Sequence, residues 1–301
     1  MSTGTAAMTG PVVAGIDGSV HGLAVAEAAA GQAIRHGRAL RLVHGFNQVI
    51  LYAAFGYPID GLQAEALVEL ANTMLEETAT TVRLGHPDLQ VQTELVASGA
   101  AAALIEASRT ASLVVVGNRG HGGFAGLLLG SISSQVIAHA HGPVLVTRPA
   151  ATGDGPAGPV VVGLDGSAES SAALGFAFDE ASIRGVPLVA LYVWQALPPG
   201  NLGPIRPWHY DPDEAAEEAR RLLAEQIAGW REKYPDVTVE QRAQFGYHPA
   251  EALIEASHTA GVVVVGSRGR GGFSGLLLGS VSRTVAESAD SPVAVIHRPG
   301  S

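Results

Sequence analysis

The chain has 301 residues, 47% of them hydrophobic and 15% charged, which supplies a buried core and sets global disorder aside. With 28 acidic residues against 18 basic ones the formal net charge is −10, so no basic stripe offers the counterion release on which non-specific nucleic-acid binding depends. There is no cysteine, which excludes a disulfide framework and a cysteine zinc site.

The opening residues "MSTGTAAMTGP" lack the basic start and apolar core of a secretory signal. No apolar run approaches the roughly 18 residues of a membrane span, so a soluble, cytoplasmic chain without membrane insertion is expected. In chain order, Val12–Ile16 reads as a first strand, followed by Asp-Gly-Ser with Ser19 as a helix N-cap. An alanine-rich helix runs from there to about His36, and Leu40–His44 reads as the second strand. After a looser segment, Asn47–Gly61, comes a long amphipathic helix at about Leu62–Leu84. Val91–Val96 reads as a strand, Ala100–Ser108 as a helix and Leu113–Val116 as a strand. A glycine-dense loop follows, then a helix at Ser133–Ala140 and a strand at Val144–Thr147.

The second half repeats the first. "VVAGIDGS" at Val12–Ser19 returns as "VVVGLDGS" at Val160–Ser167, and "ALIEAS" occurs at Ala103–Ser108 and Ala252–Ser257. Gly117–Thr147 and Gly266–Ile296 align without gaps at 18 of 31 identical positions, too many for anything but a duplicated domain. A long helix at about Asp213–Glu232 and strands at Val237–Arg242, Val262–Val265 and Val293–Ile296 are expected in this half. "RPAATGDGPAGP", Arg148–Pro159, has a linker's composition and divides the chain into domains at 1–150 and 151–301. Strands alternating with helices predict an α/β chain of two tandem, doubly wound, five-stranded parallel-sheet domains packed as a pseudo-dimer. The fifth strand, exposed as an edge, invites that pairing and further association into a homodimer.

Ligands in such folds sit at the carboxyl ends of strands where the winding reverses. Two strand ends carry suitable loops: the first, ending Gly15-Ile16-Asp17-Gly18-Ser19, and the fourth, beginning at Gly117. Gly117 and Gly120 allow close approach of backbone to ligand, and Gly122 and Gly123 keep the loop adaptable. Gly130 then opens a helix at which the amides of Ser131 and Ile132 and the hydroxyls of Ser131 and Ser133 suit a phosphate. The second copy offers Gly266, Gly269, Gly271, Gly272, Gly279, Ser280, Val281 and Ser282 in the same register. A turn with a serine cap would use the same residues. No Walker A loop, G-x-G-x-x-G after the first strand, G-x-S-x-G elbow or H-E-x-x-H occurs. His139 and His141, two apart on a helix, cannot share a metal.

The spacing G-x2-G-x9-G-[ST], read at Gly117, Gly120, Gly130, Ser131 and again at Gly266, Gly269, Gly279, Ser280, resembles the ATP-binding signature of the universal stress protein family. The resemblance covers both halves and is to the tandem-domain type found in actinobacteria. It implies a Rossmann-like, adenine nucleotide alpha hydrolase-like fold with one ATP per domain. It places Asp17 and Asp165 beside the ribose or adenine, and Gly15 and Gly163 where the ligand nears the first strand. The adenine would be read by backbone at Gly45 and Val193. The phosphates, with Mg²⁺, would fall to the glycine loops and Gly-Ser pairs, with Asn118, Arg119, His121, Ser267, Arg268 and Arg270 as further polar groups in the loops.

Hydrolysis needs a positioned water and a base as well as a cradle. Beyond Asp17 and Asp165 no acidic residue recurs in the loops, and Glu106 and Glu255 are expected to face solvent. A regulator that binds ATP, acts through an unidentified protein partner and hydrolyses little is therefore favoured. A slow ATPase or phosphotransferase and a scaffold that retains the loop only for folding are the alternatives. Asn47–Gly61 and Gln195–Asp211, rich in aromatics and proline, are candidate lids.

Overall fold

Valine-rich strands buried on both faces require helices on both faces, and the alanine-rich segments supply helices that lie close. The computed structural model describes residues 10–46, 61–118, 129–148, 158–194, 212–270 and 277–298. The first half contains β1 (Val12–Gly15), α1 (Val20–Arg35), β2 (Leu40–Gly45), α2 (Gly61–Gly85), β3 (Val91–Val96), α3 (Ala100–Ala107), β4 (Leu113–Gly117), α4 (Ser131–His139) and β5 (Val144–Thr147). The second contains β6 (Val160–Leu164), α5 (Ala168–Arg184), β7 (Leu188–Trp194), α6 (Pro212–Lys233), β8 (Val239–Phe245), α7 (Pro249–Ser257), β9 (Val262–Gly266), α8 (Ser280–Ser288) and β10 (Val293–Ile296).

Several boundaries depart from the pattern-based reading, among them the end of β8, which runs to Phe245 rather than Arg242. The strand expected from Val237 begins at Val239. The Val237 amide instead donates to Tyr234 O at 3.2 Å, closing the turn after α6 while its side chain is buried. Helix α4 starts at Ser131 rather than Ser133, because Gly130 already adopts the extended N-cap conformation.

The strands form one sheet in the order β3-β2-β1-β4-β5-β10-β9-β6-β7-β8. Every neighbouring pair is parallel except β5 with β10, which run antiparallel with Val144 opposite Val295, Leu145 opposite Ala294 and Val146 opposite Val293. Each half is thus a doubly wound sheet, and the open edge of its fifth strand is closed by the equivalent strand of the other. The outer edges carry ion pairs, Arg41 with Glu94 and Arg242 with Glu240, that discourage further strand addition. Alternation along the strands divides the core. Val12 and Ala14 pack with Ala26, Ala29, Ala30 and Ala33 of α1, whereas Val13 faces Leu104 of α3 and Val136 and Ile137 of α4.

Polar contacts cross between the halves on both faces of the sheet. On one, Glu180 of α5, 1% exposed, accepts from His36 Nε2 at 2.6 Å and from Arg184 Nε at 2.7 Å. Gln32 joins them when its amide is assigned the orientation that satisfies its neighbours, which sets the nitrogen 3.3 Å from Glu180 and lets the oxygen accept from Arg184 at 3.1 Å and Arg35 at 3.2 Å. On the other, the residues that follow β5 and β10 reach across to the last carbonyls of the opposite half's helix. Arg148 Nη2 donates to Ala286 O at 2.7 Å, and His297 Nε2 lies 3.0 Å from Ile137 O, with its Nδ1 3.0 Å from Gly142 O. A cationic or N–H-bearing group belongs at a helix C-terminus, where carbonyls lack intrahelical donors.

Burial alone would push the Glu180 carboxyl up, but the bond from His36 and the charge of Arg184 bring it down from 4.5 to about 2. Its stabilising contribution is therefore complete above the unfolded value of 4.5 and is lost as pH falls from there towards about 2. Glu180→Ala should cost about 3 kcal/mol at pH 7 in urea unfolding, because it strands His36 and Arg184, and should flatten the acid limb of the stability curve. A variant with unchanged stability and the parent's acid limb would contradict the assignment.

Candidate functional site

In each half β1 or its equivalent β6 lies between two strands reached in opposite directions, β2 and β4 in the first half, opening a crevice at the carboxyl ends. On the β1 side a tight turn precedes α1. Gly18 takes φ 77°, which a side chain would strain, and Ser19 Oγ accepts from Gly22 N at 3.0 Å as the N-cap. Asp17 Oδ1 accepts from Ser19 N at 3.0 Å and from Ser19 Oγ at 2.6 Å, fixing the carboxylate at the helix entrance. The second half repeats this arrangement. Gly166 has φ 77°, Ser167 Oγ accepts from Ser170 N at 3.1 Å, and Asp165 Oδ1 accepts from Ser167 N at 2.9 Å.

The β4 side is built differently. Asn118 N donates to Thr147 O at 3.2 Å and its carbonyl accepts from Gly130 N at 2.8 Å; Ser267 does the same with Ile296 and Gly279, at 2.8 Å each. Chain leaving the strand is thereby drawn to the start of the next helix. Gly130 and Gly279 are N-caps in extended backbone, and among the described residues no side chain caps either helix. The serines placed to do so, Ser133 and Ser282, donate backwards to Gly117 O at 2.6 Å and Gly266 O at 2.5 Å. Among the described residues, the first amides of α4 (Ser131, Ile132, Ser133) and of α8 (Ser280, Val281, Ser282) have no intrahelical acceptor and no side-chain cap. The helix on one side of each crevice caps itself; the helix on the other side does not.

The start of the second glycine loop folds towards α5. Arg268 Nη2 donates to Glu169 Oε1 at 3.2 Å, and Arg270 N donates to Asp165 Oδ2 at 2.8 Å. A Cβ on Gly269 would collide with the Asp165 carboxylate, and the Arg270 guanidinium lies over Gly166. Burial favours the neutral acid at Asp165, but bonds from Ser167, the Arg270 amide and Ser170 outweigh it and hold the carboxyl below its ordinary value. Arg119, Gly120, His121, Gly122 and Gly123, with Gly271 and Gly272, lie outside the described residues, as do most of the two candidate lids.

Other singled-out residues on the same rim also make close packing contacts. A Cβ on Gly15 would stand 2.7 Å from Leu104 Cδ1, and one on Gly163 2.9 Å from Leu253 Cδ1, so both glycines admit the helix beneath the strand. Gly45 passes closer still to the first turn of α3, with a Cβ position 2.5 Å from Ala100 N, and Val193 packs against the core on the α7 face. His44 Nδ1, 2.7 Å from Ile16 O, ties the end of β2 to the turn that carries Asp17. The Glu106 and Glu255 side chains, 74% and 84% exposed, point to solvent as their helical spacing suggests. Sequence reasoning passed over Glu169 and Ser170. A serine cap followed by Glu two residues on is common at helix starts, and nothing local connects Glu169 to an arginine 99 residues away. Among the described residues, no group of three His, Asp or Glu side chains is arranged to hold a metal ion.

Comparison with known proteins agrees with this architecture. The sequence model described as "Universal stress protein family" matches residues 8–148 and again 157–297. A universal stress protein of Mycolicibacterium smegmatis is 43% identical over 295 residues, covering 95% of this chain and 96% of that protein. One from Mycobacterium tuberculosis strain H37Rv is 43% identical over 246 residues, covering 79% and 74%. The crystal structure of a universal stress protein from Archaeoglobus fulgidus superimposes with a TM-score of 0.71 at 22% identity, covering 97% of each chain, which is a likeness of fold.

Gly269→Ala should drive the loop off Asp165 and break the Arg270 amide bond, letting the Asp165 carboxyl titrate closer to its ordinary value. Carboxyl-carbon NMR titration reads this directly; an unshifted Asp165 would contradict the described loop geometry.

Proposed function

We propose that this chain, which belongs to the universal stress protein family, binds one ATP in each half and acts as a nucleotide-dependent regulator of stress response or growth. The observation that carries the reading is the pair of helices, α4 and α8, which begin at the crevice on a glycine N-cap and, among the described residues, have no side-chain cap. Such amides, at the positive end of the helix dipole, match the oxygens of a phosphate chain. The backbone leading into each helix is fixed by Asn118 and Ser267, so the cradle is formed in advance.

In this reading the phosphates lie on Ser131–Ser133 and Ser280–Ser282, with the glycine loops sharing in holding them. Asp17 and Asp165, held by Ser19 and Ser167, meet the ribose or adenine, and the ends of β2 and β7 border the base. Mg²⁺ enters with the nucleotide and is held mainly by its phosphates. Asp165 is already committed to Ser167 and to the loop amide, and Glu106 and Glu255 point away, so no described carboxylate is set to activate water. We therefore read the chain as a binding protein with little or no hydrolysis. Occupancy would move the loops and so change recognition by a protein partner or by a second tandem chain.

A Gly130→Asp, Gly279→Asp double variant separates folding from binding. Both positions have the extended backbone of an N-cap, and a Cβ at Gly279 meets nothing closer than 3.4 Å, so aspartate can cap each helix. Its charge, however, opposes phosphate. Natively purified parent protein should release about two adenine nucleotides per chain on denaturation, one for each uncapped helix. The variant should release about tenfold less, or none, with its melting temperature kept or raised. Equal nucleotide content in parent and variant would overturn the reading.

A further inference from the structure

The two donors displayed by the start of the second glycine loop are both taken by carboxylates of the same half. Arg268 gives its guanidinium to Glu169, and Arg270 gives its amide to Asp165. Both acceptors lie on the α5 side of the crevice, opposite the uncapped start of α8 on which a phosphate chain would lie. The Glu169 backbone is held apart from the loop, abutting the end of β9: a Cβ on Gly266 would stand 2.8 Å from Glu169 C. Its side chain is 17% exposed, and a carboxylate in the first turn of a helix is favoured by the dipole. The duplicated sequence sharpens the point. Arg268 has its counterpart in Arg119 and Asp165 in Asp17, but the residue aligned with Glu169 is His21.

We propose that Glu169 is a specificity-setting residue of the second half, a built-in anion that holds Arg268 on the α5 side and must be displaced before the arginine can serve a phosphate chain. The proposal rests on the nucleotide reading above and deepens it. Polyphosphate and carboxylate compete for one guanidinium, so Glu169 weakens binding of the charged part of the ligand and leaves binding of the nucleoside part unaffected. Asp165 adds to the same latch through the Arg270 amide, but it also borders the ribose, so Glu169 is the residue at which the effect can be isolated. Arg268 is 40% exposed, and a partly exposed ion pair is a small barrier, so the expected change is a few-fold.

The test uses the full chain and 8-azido-ATP as a photo-crosslinking probe, with labelled peptides mapped so that each half is quantified separately. Unlabelled Mg-ATP and adenosine serve as competitors. Glu169→Gln removes the charge, and Glu169→His installs the residue of the first half. In both variants Mg-ATP should compete about three-fold better at the second half, while adenosine competes as in the parent and the first half is unchanged. Unchanged Mg-ATP competition would overturn the proposal, as would an equal gain for adenosine. Weaker Mg-ATP competition would also overturn it, since Glu169 would then aim Arg268 at the phosphates. Absence of displaceable labelling in both halves would remove the nucleotide reading itself, and the proposal with it.

Discussion

The antiparallel pairing of β5 with β10 is the constraint on which the rest of the molecule depends. Three residue pairs join two five-stranded sheets into one, and everything that crosses between the halves follows from that join. It places α1 beside α5, so that His36 meets Glu180 on one face of the sheet. On the other face it sets Arg148 and His297 against the carbonyl ends of α8 and α4. Those helices begin at the crevices, and the strands that precede Arg148 and His297 also hold the starts of the glycine loops, through Thr147 to Asn118 and Ile296 to Ser267. Each crevice is thus connected, by backbone bonds and one helix, to the opposite half.

The join is polar where polarity is costly. Glu180 is buried with His36, Arg184 and Gln32, and an ion pair removed from water gains little net stability over a well-packed apolar pair. Such a cluster instead penalises any docking that leaves Glu180 without its partners, which favours one relative placement of the halves. His297 has a similar character. Its two ring nitrogens face two carbonyls, burial pushes its pKa down while both carbonyl bonds oppose this, and a neutral ring can donate to only one of the two.

Much of this was legible in the residues. Val12, Val13 and Ala14 alternate their contacts between two cores, and a strand that is apolar at every position must be central. The duplicated "IDGS" and "LDGS" turns announced the crevice, and the fifth strand's apolar pattern announced an edge in need of a partner. The identity of that partner was less accessible, since Val144–Val146 would suit pairing within the chain or between chains. Gly15 and Gly45 stood out along the chain as positions of ligand approach, whereas their packing role was not visible there: their Cβ positions point at Leu104 and at the first turn of α3, a helix that comes much later in the chain. Glu169 carried no signal at all: its meaning lies in Arg268, and the sheet alone brings the two together. Local chemistry can be read along the chain, whereas a contact between distant segments becomes visible only once the topology is fixed.

The central claim is that the chain carries two nucleotide sites built on the uncapped starts of α4 and α8. Isothermal titration of the nucleotide-stripped full chain with Mg-ATP tests it most directly. The account predicts saturable heat with about two equivalents bound per chain, weakened by added pyrophosphate, which competes for the same amides. No saturable binding, or binding that pyrophosphate leaves untouched, would contradict it.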